Sequence, residues 1–305
     1  MPTDIGIVDL MLGFPHTSIE EKRATYDFFR PLLKDEQSRK EFEFPAEYMF
    51  KDVPDVVPPG TDVVQWVIDK MDAFGIEVAM TGLNERAIEA RRRHPDRFVL
   101  NLSLNPNEGI EAVRKMTRAR DEHGIVSVSV FPCGQVPQVD IDSPLMYPIY
   151  MRAIELGIPV CVNAGIVGPR MPSSPQDVMR IDRVCYDFPE LTLCTMHGCE
   201  PWTALAVKLM LKWPGLHYLT SAFAPKHYPK DIIEYANTRG ADKIMYCGYF
   251  PAGLTLERQF ADLPNVPFED EVWPKFLREN AMRVFRIADA TGRPQPGQPQ
   301  PEVAG

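Results

Sequence analysis

The chain has 305 residues, 45% of them hydrophobic and 25% charged, the composition of an ordinary globular protein and not of a disordered or fibrous one. A net charge of -9 leaves no basic footprint for nucleic acid or an anionic membrane, and no run approaches the roughly 18 apolar residues that a membrane span needs. Six cysteines without paired short spacings read as a reduced inventory, and the opening Met1-Pro2-Thr3-Asp4 lacks the charged start and apolar core of a signal peptide, so a cytoplasmic protein is expected.

Taken in chain order, short β-rich runs alternate with helical patterns. Strands are expected at residues 5–10, 76–81, 98–103, 125–130, 158–163, 191–196, 216–221 and 243–248. These runs are nearly continuously apolar, as suits strands covered on both faces. Amphipathic helices are expected at 62–74, 85–94, 111–122, 147–156, 176–187, 202–212, 230–239 and 275–287. Gly75, Gly124, Gly157 and Gly215 each stand just before a strand, where a glycine can end the preceding helix. Eight strand–helix units predict a (β/α)8 TIM barrel occupying residues 1–291 as one domain, with a doubly wound open sheet as the alternative. The proline- and glutamine-rich tail at 292–305 is expected to be flexible.

One segment breaks the rhythm. Residues 11–60 form a long insertion after the first strand, carrying Phe28, Phe29, Phe42, Phe44, Tyr48 and Phe50. Loops that long are usually functional or disordered, and this aromatic content argues against disorder. The insertion reads as a lid over the strand ends or as a subunit contact. Barrel enzymes place their chemistry at the C-terminal ends of strands. In this chain those ends hold Asp9, Met11, Asn163, His197, Ser221 and Tyr249 among mostly small or apolar neighbours.

Several ordered motifs resemble the amidohydrolase-related barrel family, which includes aminocarboxymuconate-semialdehyde decarboxylase, the resorcylate decarboxylases and the pyrone-dicarboxylate lactonases. His94-Pro95-Asp96-Arg97-Phe98 is similar to that family's N-P-D-R-F, and Gly157-Ile158-Pro159-Val160 followed by Asn163-Ala164-Gly165 to its G-L-P-V-x-x-H-T-G. Phe188-Pro189-Glu190-Leu191 leading to His197-Gly198, the 242–251 segment, and Glu279-Asn280-Ala281-Met282-Arg283 resemble its later motifs. The resemblance implies the barrel fold and chemistry on small organic acids. It also implies four metal-ligand positions, which here hold Met11, Gly13, Asn163 and Tyr249, while the sixth-strand histidine survives as His197. A zinc site needs about three N, O or S protein ligands, so no metal and no cofactor is expected.

Without a metal to lower the pKa of water, the chemistry that remains is proton transfer and anion stabilisation. His197 is then the proton donor or acceptor, or a structural remnant. Tyr249 donates to a developing oxyanion, or plugs the vacated metal pocket. Asn163 orients a carboxylate, or stands as an isosteric remnant. For substrate contacts, Arg170 suits a carboxylate fork or is a solvated loop charge, and Asp9 is a base or an orienter of backbone. Met11 reads as packing, or with His197 and Cys247 as a soft Cu(I) site. Ser221 shows no histidine partner at fixed spacing, while Glu47, Tyr48 and Lys51 belong to the lid or to an oligomer contact. Glu200 tunes His197 or is a charge favouring the N-terminus of the following helix, and Lys226 and His227 reach the mouth or form exposed surface. The resulting expectation is a metal-independent decarboxylase or lyase acting on a small, aromatic or ring-cleavage-derived acid, assembled as a homo-oligomer. A metal-independent lactone or ester hydrolase is one alternative, and a non-catalytic barrel that binds a ligand or a partner is another.

Overall fold

A computed structural model describes residues 1–40, 44–50 and 53–293. Eight parallel strands lie in sequence order in one sheet. They are β1 (Ile7–Asp9), β2 (Ile76–Gly82), β3 (Phe98–Ser103), β4 (Ser127–Val130), β5 (Val160–Asn163), β6 (Leu193–Met196), β7 (Leu216–Leu219) and β8 (Ile244–Met245). Helices alternate with them, and the expected (β/α)8 barrel is the fold. No helix among the described residues is long and apolar enough to cross a membrane.

The helix ends follow local chemistry. Asp62 caps the helix Val63–Phe74 by accepting from the amides of Val64 and Gln65, and Asn84 caps Glu85–Arg93 by accepting from Ala87 N. Gly75, Gly124 and Gly157 end their helices in the left-handed region, as the sequence led one to expect. Gly215 does not: the helix Thr203–Lys212 ends at Trp213, and a Cβ on Gly215 would strike the Leu191 carbonyl. This glycine is there for close backbone approach. The expected helix at 176–187 begins only at Arg180, because Ser174–Gln176 form a separate tight turn.

The apolar residues separate into two layers. One fills the space between strands and helices. The other draws Val8, Val78, Val99, Cys161, Cys194 and Met245 from around the ring, so it occupies the lumen, and Met282 and Phe285 of the C-terminal segment pack onto it. All six cysteines are buried free thiols.

β8 is shorter than the sequence suggests, and the reason is how the barrel closes. Between β8 and β1 there is a single parallel bridge, Leu12 to Phe250, with Gly13 N donating to Phe250 O at 2.9 Å. Beside it the buried Asp9 carboxylate substitutes for a ladder: its Oδ1 accepts from Met11 N at 2.9 Å and from Gly248 N at 2.8 Å. Gly248 is required there, since a Cβ would collide with that carboxylate.

The 11–60 segment folds over its own strand ends. Ser18 caps its helix Ile19–Tyr26, Lys22 Nζ donates to Pro54 O at 3.0 Å, and Phe29 packs on Phe131 with ring centroids 5.6 Å apart. Phe42 and Lys51 lie outside the described residues, as does the expected flexible tail from 294 onward.

Candidate active site

The lid and the ends of β4 to β8 enclose a cavity of about 630 Å³. Asn163, His197 and Tyr249 all line it, together with aromatic walls from Phe29, Phe44, Phe50, Phe131 and Phe223. A second cavity of about 220 Å³ lies at the strand ends on the β1 side, lined by Met11, Gly13, Met80, Asn101 and Ser129 and reached also by Cys161 of β5 and Met196 of β6. Tyr249 lines both, so its ring is the partition between them.

His197 follows β6 directly and sits at φ 65°, with Gly198 at 90° and Cys199 at 58°; Ala222, after β7, is at 71°. Positive φ at a non-glycine residue costs roughly 1–3 kcal/mol and persists where the surroundings over-determine it. Here they do. Gly165, at φ 99°, lies so close to the β6 loop that a Cβ would come within 2.7 Å of Glu200 O. Cys199 N donates to Ala164 O at 3.2 Å, and Ile166 N to Glu200 O at 2.7 Å. The loops that carry Asn163 and His197 are thus tied together by backbone.

One hydroxyl fixes the imidazole. Ser221 Oγ accepts from His197 N at 3.1 Å and lies 2.9 Å from Nδ1. Ser221 is fully buried, does not line the cavity, and therefore orients His197 and is not itself presented to a ligand. The sequence gave no spacing that paired it with a histidine; the pairing is made across β6 and β7. Burial pulls the His197 pKa down to about 4, so the imidazole is neutral at pH 7. Its Nε2 faces the cavity with no protein partner among the described residues.

The Tyr249 ring meets the His197 ring edge-on at 5.2 Å and stacks on Phe50 at 5.8 Å. Burial raises its phenol above the ordinary range, so it stays a proton-bearing donor. Neither its hydroxyl nor the Asn163 amide has a side-chain hydrogen bond among the described residues. Three polar groups therefore reach one cavity without protein partners.

The other sequence candidates are placed elsewhere. Asp9 is buried in the seam and lines neither cavity; burial raises its pKa to about 6, against the two amide hydrogen bonds it accepts. Arg170 does not line the cavity: Nη1 bonds Asp35 at 3.1 Å and Gln37 at 2.9 Å, and the guanidinium lies over the Tyr48 ring at 5.0 Å. Tyr48 donates its hydroxyl to Gly168 O, and Glu47 is exposed on the same turn. These residues latch the lid to the β5 loop. Met11 faces the small cavity, away from His197. Lys226 pairs with Asp262 at 3.8 Å, whereas His227 and Glu200 do line the large cavity, the Glu200 carboxyl raised by burial and opposed by His227.

Two lining residues had no signal in the sequence. Arg258 enters from the helix Leu256–Asp262, ten residues past the strand-end segment, and Gln176 arrives from the Ser174–Gln176 turn. Phe131 and Phe223 follow their strands directly, but apolar residues at strand ends carry no mark of function.

The amidohydrolase family model matches residues 35–287. The chain belongs to this family. No curated protein matches the sequence. Among solved structures, an uncharacterized TIM-barrel protein from Bordetella bronchiseptica superposes with a TM-score of 0.69 at 21% identity, covering 93% of this chain and all of that one. A 5-carboxyvanillate decarboxylase from Novosphingobium aromaticivorans with bound manganese gives 0.64 at 15%, covering 93% and 97%. The 2,6-dihydroxybenzoate decarboxylase from Rhizobium gives 0.62 at 16%, covering 93% and 99%.

The residues present here do not fit a metal centre of the kind the family resemblance implies. Met11 and Gly13 open on one cavity and Asn163 and His197 on the other, with the Tyr249 ring between them. Among the described residues no three His, Cys, Asp or Glu side chains come together as a metal-binding group.

Proposed function

We propose that this chain decarboxylates a small aromatic or ring-cleavage-derived carboxylic acid without a metal. The observation that carries the reading is that His197, Tyr249 and Asn163 line one cavity with aromatic walls, where His197 Nε2, the Tyr249 hydroxyl and the Asn163 amide have no hydrogen-bond partner among the described residues. The neighbours named as 5-carboxyvanillate and 2,6-dihydroxybenzoate decarboxylases support the reaction class and the aromatic acid, while the metal-free reading rests on the lining residues alone.

In this mechanism Asn163 holds the carboxylate out of the plane of the ring. A carboxylate placed beside the neutral imidazole raises the His197 pKa, so binding of the acid takes up a proton. The carbon–carboxylate bond breaks as His197 delivers that proton to the ring carbon. The electron pair of the broken bond becomes the new C–H bond, and carbon dioxide leaves; the sum is one carboxylate and one proton consumed per CO2 and arene formed. Negative charge that develops on a ring oxygen is met by the Tyr249 hydroxyl, aligned in advance by its stacking on Phe50. The aromatic walls exclude water, and Arg258 adds positive charge to the lining.

The test uses protein dialysed against a chelator and a panel of hydroxybenzoates that includes 2,6-dihydroxybenzoate and 5-carboxyvanillate, with CO2 trapped and arene quantified. Turnover that survives chelation and is lost in His197→Asn is the expected result. A stoichiometric metal whose removal abolishes turnover overturns the metal-independent reading. Binding of every acid with turnover of none moves the chain to the ligand-binding barrels, and turnover of lactones alone moves it to the hydrolases.

A further inference from the structure

We infer that the acid taken by this cavity carries an apolar extension, a second ring or an alkyl chain, on the side away from its carboxylate. The inference rests on the proposed acid-binding role of His197 and adds the substrate class.

Size is the first argument. Sites of roughly 300–1,000 Å³ bury drug-sized ligands, and this cavity measures about 630 Å³. Interiors pack to about 0.74 of their volume, so a single-ring acid held at His197 would leave most of this one unfilled. The distribution of groups is the second. His197, Asn163 and Tyr249 are gathered at the β5, β6 and β8 ends, while the Phe29–Phe131 pair lines the wall at the β4 end and offers a ligand only apolar surface.

The third argument is the rim. Phe28, Met49 and Ile166 line this same cavity and are 50%, 60% and 58% exposed. Large exposed apolar side chains gathered at one opening mark a binding groove. Two of them come from the lid and one from the β5 loop, which the Arg170–Asp35 and Tyr48–Gly168 contacts hold together. The cavity is therefore continuous with an apolar lip, which would cover the distal end of a ligand too long for the interior. The Phe28 ring packs at a tilt against Phe29, with centroids 4.1 Å apart, joining lip to wall.

The experiment is isothermal titration of the full chain with 2-hydroxybenzoate and with its 4-alkyl and 4-phenyl derivatives, alongside 3-phenylphenol, which has the extension without the acid. Affinity is expected to rise about fourfold per methylene while the chain is being buried, and the 4-phenyl acid to bind more tightly than 3-phenylphenol. In the double variant Phe28→Ser/Met49→Ser, the gain from the extension is expected to shrink at least tenfold while 2-hydroxybenzoate binds as before. Extended acids that bind no better than 2-hydroxybenzoate, or no measurable binding of extended acids, overturn the inference. So does a gain that survives in the double variant. Because the readout is binding, the two readings fail separately. Tighter binding without CO2 release sinks decarboxylation and leaves the inference standing, and turnover of single-ring acids with no gain from the extension does the reverse.

Discussion

The two cavities at the strand ends use their polar side chains differently. Over β1–β4, the Asn101 amide donates to Ser129 Oγ at 2.9 Å and accepts from Ser127 Oγ at 2.9 Å, so the polar groups there satisfy one another beside Met11 and Met80. Over β5–β8, Asn163, His197 and Tyr249 are fixed in place by backbone, by Ser221 and by ring stacking, and their hydrogen-bonding atoms are left for something else. Buried polar groups are nearly always paired, and those that are not call for an explanation. Among the described residues the scaffold also holds buried atoms without a partner, at Asp9 Oδ2, His217 Nδ1 and Gln259 Nε2, so what sets Asn163, His197 and Tyr249 apart is that they line the large cavity.

The largest effect that would break this comparison lies at His197. His197→Asn keeps a residue tolerant of the left-handed region and is expected to lower kcat by roughly 10²–10⁴, the usual worth of a positioned proton donor, with the thermal midpoint little changed. Tyr249→Phe is next. Loss of a donor aimed at an oxyanion costs about 10²–10³ in kcat; if the ring serves only as a plug, Phe will do equally well and kcat will not move.

The seam gives a stability prediction of comparable size. The Asp9 pKa is raised in the fold to about 6, so on raising pH the unfolded chain loses this proton first and the native state loses stability across the interval up to about 6. About two pKa units correspond to about 3 kcal/mol. Asp9→Asn retains the oxygen that accepts from Met11 and Gly248 and removes the charge. Its unfolding free energy relative to the parent is expected to rise from near parity at pH 3.5 to about 3 kcal/mol in its favour at pH 7, as measured by denaturant titration at each pH.

Smaller effects sharpen the contrast. Acid binding is expected to weaken about tenfold per pH unit above pH 4, until the raised pKa of liganded His197 is passed, because the complex holds one proton more than its parts. Met11→Leu, on the satisfied side of the partition, is expected to leave kcat within about threefold, as volume-conserving swaps usually do.

The barrel was legible because each strand is an apolar run and several helix ends carry a cap, from Asp62 to Gly157. The strand ends were displaced by one to three residues where a side chain or a loop took over the ladder, most visibly at β8, where Asp9 does the work of backbone. Within the site, His197, Asn163 and Tyr249 stand at strand ends, where position alone exposes them. Arg258 and Gln176 were invisible because they reach the cavity from a helix and a turn beyond the strand ends, whose direction no local pattern encodes. Ser221 was legible as a strand-end hydroxyl but not as the partner of His197, since that contact depends on how neighbouring strands are staggered. Arg170 illustrates the converse: a guanidinium near a pocket is available to a substrate only if nothing nearer claims it, and Asp35, Gln37 and Tyr48 do.

The closure at Leu12, Phe250 and Asp9 joins the first strand to the last, across almost the whole length of the chain. A polypeptide emerging from a ribosome can pair β1 with β2 early, but the ring stays an open, edge-exposed sheet until residue 250 has been made. Its cysteine- and methionine-rich lumen remains reachable by oxidants for all of that time, and is sealed only when the two ends of the sheet meet.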